Sequence, residues 1–384
     1  MKAQLNSIDR TRRARVTYTR RKGARFAVLL AAVSVSSVAR ADESVVLSPH
    51  NLSATGRGTV RALNESEVCI FCHTPHNADP QAPLWNRYNP TTHYRIYTSS
   101  TTDARIDQPG GPSKMCLSCH DGSIALGLVL SRPPTDPIAM NQPFLPTGTS
   151  NLTNDLSDDH PIGFRFDRQL SNRDRQLRSP DLVDHRIRLG DRGELECTAC
   201  HDAHNNELGN FLRITQREGA LCNTCHRMDG WRNSAHALSA KTVPVTATNG
   251  IALPFNSMFD NACQTCHLSH NAPHRERLLR ARPYDVCINC HSGFPGRDIS
   301  GLLNQRSGHR TARFVDLHDP TENPLTMRPH VDCVDCHNPH AVRANPLAQA
   351  RLHSPPPALL PPRTADVPGL PAGGVVQVWD LYIA

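Results

Sequence analysis

Aromatic side chains are scarce in this chain, 5% of 384 residues, and hydrophobic residues of every kind make up only 38%. So little apolar surface argues against a core built from side chains alone, and 31 prolines further limit regular structure. Long hydrophobic runs are missing too: the stretch Phe26 to Val38 is too short for a permanent membrane anchor, so no transmembrane segment is expected. Lysine nearly vanishes beyond residue 41, where only Lys114 and Lys241 remain and other basic side chains are arginine. Excess positive charge is absent from the same region. The formal charge of +7 comes from the first 41 residues, which hold ten basic residues and one acid, Asp9, leaving 32 basic against 34 acidic residues. Charge therefore gives no support to nucleic-acid binding. Finally, no cysteine stands outside a single five-residue motif.

That motif is C-x-x-C-H, and seven copies account for all fourteen cysteines. They are Cys69/Cys72/His73, Cys116/Cys119/His120, Cys197/Cys200/His201, Cys222/Cys225/His226, Cys263/Cys266/His267, Cys287/Cys290/His291 and Cys333/Cys336/His337. A disulfide framework or a structural zinc site has no reason to demand histidine after every second cysteine. Covalent haem c does, because the thiols form thioethers to the vinyl groups and the adjacent histidine ligates iron from the proximal side. The expectation is seven covalently bound haems, whose flat macrocycles supply the apolar surface that the side chains lack. The chain without haem is expected to be largely unfolded.

Haem attachment requires an oxidising compartment, so an export signal is expected at the N-terminus. A basic stretch between Lys2 and Arg25, the apolar run and then Ala39-Arg40-Ala41 have that layout, with cleavage before Asp42. The arginine pairs at 12/13 and 20/21 raise the twin-arginine route, but haem joins an unfolded chain after export, which favours general secretion. Arginine elsewhere suits pairing with haem propionates. A GC-rich coding sequence would give the same bias.

Odd-numbered motifs continue as C-x-x-C-H-x-x-H, adding His76, His204, His270 and His340, whereas even-numbered motifs do not. Motifs three and four start 25 residues apart and motifs five and six 24 apart, each pair bridged by Leu-Arg at Leu212-Arg213 and Leu279-Arg280. This is an internal duplication. The fold expected is mostly irregular coil with short α-helices near the motifs and little β structure, with the run Ile124 to Leu130 as a short helix leaving motif two. Four segments follow: a signal peptide at 1–41, a four-haem module at 42–240, a three-haem doubled C-x-x-C-H module at 241–345, and a Pro-rich tail at 346–384 ending in the apolar segment Val375 to Ala384.

The iron's second axial ligand decides between electron carriage and chemistry at an open site. Only Met115, Met140, Met228, Met258 and Met327 remain after the signal, too few for seven irons, whereas fourteen histidines lie outside the motifs. The distal candidates are His50, His76, His160, His204, His236, His270, His309 and His340. His340 has the weakest case, because no eighth motif follows it. His93, His185, His274, His318, His330 and His353 read as surface or supporting residues, with His330 a spare for the last haem.

Residues 69 to 240 also run C-I-F-C-H-T-P-H-N-A, P-L-W-N-R, M-C-L-S-C-H-D-G-S-I-A-L-G, D-D-H-P-I-G-F, E-C-T-A-C-H-D-A-H, N-F-L-R and A-L-C-N-T-C-H. This ordered string resembles the filament-forming extracellular cytochromes of metal-reducing bacteria, especially the four-haem members, over about half of the region beyond the signal. Residues 263 to 340 resemble the broader doubled C-x-x-C-H cytochromes, a departure from the four-haem pattern. The resemblance implies bis-histidine haems stacked alternately parallel and perpendicular, subunits joined end to end, and one distal histidine crossing to a neighbour. An N-terminal residue such as His50 is placed to be that donor.

The function expected is electron carriage, as an extracellular conduit or filament subunit with other redox proteins, copies of itself and an extracellular acceptor as partners. The alternatives are a periplasmic or porin-associated shuttle and, from another class, a reductase of nitrite, hydroxylamine or a sulfur oxyanion. No motif ends in lysine, which removes the C-x-x-C-K signature of some such reductases.

Overall fold

A computed structural model describes residues 44–80, 82–243, 252–305, 323 and 332–342. The expected signal peptide, the C-terminal tail and His309, His318, His330 and His353 lie outside them. Within the described residues the chain is mostly irregular, with short helices and little strand. The four strands have two residues each. β1 (Arg95–Ile96) pairs in parallel with β2 (Asp155–Leu156), and β3 (Phe164–Arg165) pairs antiparallel with β4 (Glu194–Leu195).

Helices gather at the motifs because C-x-x-C-H is itself one helical turn. With 3.6 residues per turn, cysteines three apart project from one side, and the histidine closes the turn by an i to i−4 bond. Such bonds run from the amide of His73 to the Cys69 carbonyl (2.8 Å), His201 to Cys197 (3.0 Å), His226 to Cys222 (2.9 Å), His267 to Cys263 (3.0 Å) and His337 to Cys333 (2.8 Å).

Even-numbered motifs end helices that begin upstream. α1 (Gly111–His120) carries motif two with Pro112 in its first turn. The next, α2 (Arg168–Asp174), bears no motif and is capped by Asp167, which accepts from the Leu170 amide at 2.9 Å. Motif three is the single turn α3 (Cys197–Cys200), and motif four ends α4 (Ala220–Cys225). Two further single turns, α5 (Ala235–Leu238) and α6 (Met258–Asn261), are capped by Ser234 and Ser257. Motif six ends α7 (Pro283–His291), which starts on proline; α8 (Ser300–Leu303) follows, and α9 (Cys333–Cys336) carries motif seven behind an Asp332/Asp335 capping box. Motifs one and five occupy 3-10 turns at Cys69–Phe71 and Ala262–Thr265.

Apolar burial is scattered. Separate small clusters form around Trp231, Val243 and Met258, around Phe164, Phe166 and Leu195, around Phe71, Val129 and Ile138, around Tyr94, Leu117 and Leu156, and around Tyr97, Ala272 and Leu278.

One expectation fails here: Ile124 to Leu130 forms turns and loop, with no helix. Two of its backbone donors are taken by distant carbonyls, Leu126 by Pro143 and Leu130 by Asn86, both at 2.8 Å, while Gly127 accepts from the Ile138 amide at 2.9 Å. A Cβ on Gly127 would lie 1.9 Å from the Ile138 carbonyl oxygen, so only glycine permits this approach. The fully buried Arg87 completes the clamp, donating to the carbonyls of Leu126 (2.8 Å) and Ser118 (3.0 Å).

Candidate functional site

The odd motifs share a returning loop. The amides of Asn86, Arg213 and Arg280 donate to the carbonyls of Cys72, Cys200 and Cys266, at 2.9, 2.8 and 2.9 Å. The preceding residues Trp85, Leu212 and Leu279 bridge His73, His201 and His267. Just before them, Leu84, Phe211 and Leu278 all have positive φ, at 63°, 56° and 49°. A left-handed backbone is costly for such side chains, and the loop geometry holds them there three times. In the two later copies this turn aims a carbonyl at the motif histidine: Nδ1 of His201 donates to Asn210 O and Nδ1 of His267 to Arg277 O, both at 2.8 Å.

The Leu-Arg bridge thus has a structural role that its spacing did not disclose. The Arg213 guanidinium donates to the Thr198 carbonyl (2.8 Å) and Asp202 (3.1 Å), and Arg280 donates to the Gln264 carbonyl. Each arginine pins the inner residues of its own motif.

The motif histidines face other histidines. A metal between two imidazoles, with bonds of about 2 Å to nitrogens about 1.1 Å from their ring centres, separates those centres by about 6.2 Å. Ring centres stand 6.1 Å apart for His120 and His50, 6.0 Å for His73 and His204, and 6.2 Å for His201 and His270, His226 and His160, His267 and His340, and His291 and His236.

The pairing follows a rule. Each of motifs one, three and five meets the x-x-H histidine of the next odd motif, two motifs downstream. Each of motifs two, four and six meets a histidine from an upstream segment. His340, the weakest candidate by sequence, thus stands opposite His267. His50 faces His120 of its own chain and stacks on Phe211, with ring centres 4.0 Å apart. Among the described residues no imidazole faces His76 or His337, and both are exposed. His93 and His185 are exposed and His274 is half-buried, and no motif histidine faces them.

Ring orientation supports metal binding. Nδ1 of His50 lies 3.4 Å from the Ala203 carbonyl, His120 2.7 Å from Ser150, His160 3.1 Å from Pro161 and His236 3.0 Å from Pro339. A carbonyl only accepts, so the proton sits on Nδ1 and Nε2 keeps a free lone pair. Burial, reinforced by neighbouring imidazoles, pushes His50, His226 and His340 down to about 4, and burial also lowers His120, His160, His201, His236 and His267. Neutral imidazole is the form that binds metal.

The thiols order the motifs in space. The Cys116 thiol meets that of Cys197, which raises Cys116 and lowers Cys197 to about 7, and Cys222 meets Cys263, which raises Cys222 and lowers Cys263. Cys333 is raised by Cys287. Hence the first cysteines of motifs two and three, four and five, and six and seven meet. Second cysteines serve the other junctions: Cys72, Cys225 and Cys266 are each pushed up to about 12, mainly by burial and then by Cys119, Cys200 and Cys290 respectively. Consecutive motifs therefore adjoin all along the chain, in alternating fashion. At one junction Ser113 on α1 donates to Glu196 and accepts from the Cys197 amide at 3.0 Å, locking motif two to motif three. No described cysteine is in a disulfide. Among the described residues no three His, Cys, Asp or Glu side chains gather as a cluster able to hold a bare metal ion. Two facing imidazoles beside a pair of thiols would suit haem c instead.

The partner of each histidine depends on long-range folding and is not written in the motif spacing. Nor does the spacing disclose Asp159, whose carboxylate accepts from Nδ1 of His270 at 3.0 Å.

The family model for the doubled CXXCH motif matches residues 191–230 and 256–296, the two stretches read as a duplication. No curated protein matches the chain. Among the described residues no helix is long and apolar enough to cross a membrane. The doubled motifs mark this chain as carrying covalently bound haem c, with the features of a multihaem c-type cytochrome that works in electron transfer.

Proposed function

We propose that the chain is an exported seven-haem electron carrier, with every haem held between two histidines, and that it acts outside the cell as a conduit that joins end to end into filaments. The observation that carries this reading is the forward reach of the odd motifs, each meeting the x-x-H histidine of the next odd motif. Among the described residues the rule leaves two histidines with no imidazole facing them, His337 of motif seven and His76, the x-x-H histidine of motif one. His76 of one copy thus serves motif seven of the next, in the role sequence position suggested for His50.

Bound haem c supplies an iron that takes up and releases one electron, and the chain's residues do the rest. Paired thiols would fix each haem beside the next, and the arginine-pinned loops hold the motif histidines. Carbonyl acceptors keep the Nε2 lone pairs free, and an iron held by two such imidazoles would leave no position for a substrate.

The test is cryo-microscopy of secreted protein, with H76A and H309A compared. Filaments from the parent and from H309A, with only monomers from H76A, are expected. A parent that elutes as a monomer and shows no filaments would make the chain a soluble shuttle. Stoichiometric carbon monoxide binding to the reduced assembly would reveal an open iron and favour a reductase.

A further inference from the structure

Most of the paired histidines with an Nδ1 partner face a neutral backbone carbonyl, and His270 alone among the described pairs faces a carboxylate within hydrogen-bond distance. Asp159 is nearly inaccessible, its side chain 4% exposed. Its Oδ1 accepts from His270 at 3.0 Å and from the Asn271 amide at 3.1 Å, while its Oδ2 is buried without a partner. Among the described residues no arginine or lysine forms an ion pair with it; the nearby Arg275 is committed to Asp155 at 2.7 Å.

The carboxylate is held firmly. The Ala272 amide donates to the Asp158 carbonyl (2.9 Å) and the His160 amide to the Ser269 carbonyl (2.7 Å), so residues 158–160 and 269–272 form one clip. The same clip presents His160 to His226 and His270 to His201.

A carboxylate that accepts a proton bond from an axial imidazole makes the opposite nitrogen a stronger donor, and in a poorly solvated site its charge is weakly screened. Both effects favour the ferric over the ferrous state. We propose that Asp159 sets a low-potential step at motif three, acting through His270 as a positioning and tuning residue. The proposal rests on His270 being the distal ligand there.

The experiment is a spectroelectrochemical titration of the holoprotein and its D159N, D158N and H270A variants, with electron paramagnetic resonance of the oxidised forms. In D159N the amide oxygen still accepts from His270 while the charge is gone. One reduction step should then favour the ferrous form by at least tenfold, about 59 mV for one electron, and one low-spin signal should change with no high-spin haem appearing. D158N removes a charge next door without touching His270 and should leave that step in place. An unmoved step in D159N, or an equal movement in D158N, would overturn the proposal. H270A should turn one haem high-spin; if it does not, the ligation reading fails, a result distinct from an unresponsive D159N. Should D159N not accumulate, D159E and D159Q provide a size-matched pair with and without charge, and equal potentials in those two would also reject the idea.

Discussion

His267 and His340 face each other with ring centres 6.2 Å apart and planes within 18°, and they belong to motifs five and seven. The same pairing across two motifs joins His73 and His204 (6.0 Å, planes 16° apart) and His201 and His270 (6.2 Å, planes 38° apart). Motifs one, three and five are therefore each faced by a residue that also belongs to the next odd motif's own turn, so these sites are interlocked.

Replacing His204, His270 or His340 by alanine should convert one low-spin haem to high-spin in each variant, read from the oxidised optical spectrum. The same change at His93 or His185, which face no motif histidine, should leave the spectrum unaltered. A silent H340A would remove the forward-reaching rule.

Ser234 is fully buried, and its hydroxyl accepts from the Ala237 amide at 3.0 Å, capping the turn that carries His236 opposite His291. S234A should cost about 1 kcal/mol. The expected readout is a lower melting temperature together with a growing high-spin fraction at one haem on warming, before global unfolding.

Arg280 is buried, and its guanidinium braces the inner carbonyl of its own motif. Removing it as R280A should destabilise the holoprotein by about 1–3 kcal/mol, because a half-buried carbonyl loses its charged donor. Lysine cannot reproduce the planar fork, so R280K should recover little of the loss. Denaturant titration followed in the haem band measures both.

Apolar burial in the described residues is split among small clusters, the largest joining Trp231, Ala237, Val243, Leu253, Met258 and Ala262. Produced without haem attachment, the chain should show a coil-like far-ultraviolet spectrum and no cooperative melt. A sharp thermal transition in that material would mean that side chains alone suffice.

Much of the site was legible in the sequence because its chemistry is local. The spacing of Cys197, Cys200 and His201 demands one helical turn, and the scarcity of aromatics and aliphatics argued against a core built from side chains alone. The duplication of motifs three to six was equally plain, and it returns as the matching loops at Leu212-Arg213 and Leu279-Arg280. What stayed hidden depends on contacts between distant segments. Ile124 to Leu130 looked helical by its apolar content, yet Pro143, Asn86 and Ile138 claim its backbone groups from far along the chain. Likewise, the candidates His50 and His340 could be named from sequence, but nothing in their neighbourhoods tells which motif they face. The sequence by itself determined the attachment chemistry and the short-range turns, since these need only neighbours a few bonds away. Only the tertiary structure decided the pairing of imidazoles, the alternating meeting of thiols and the carboxylate behind His270, because each depends on how the chain closes its long loops.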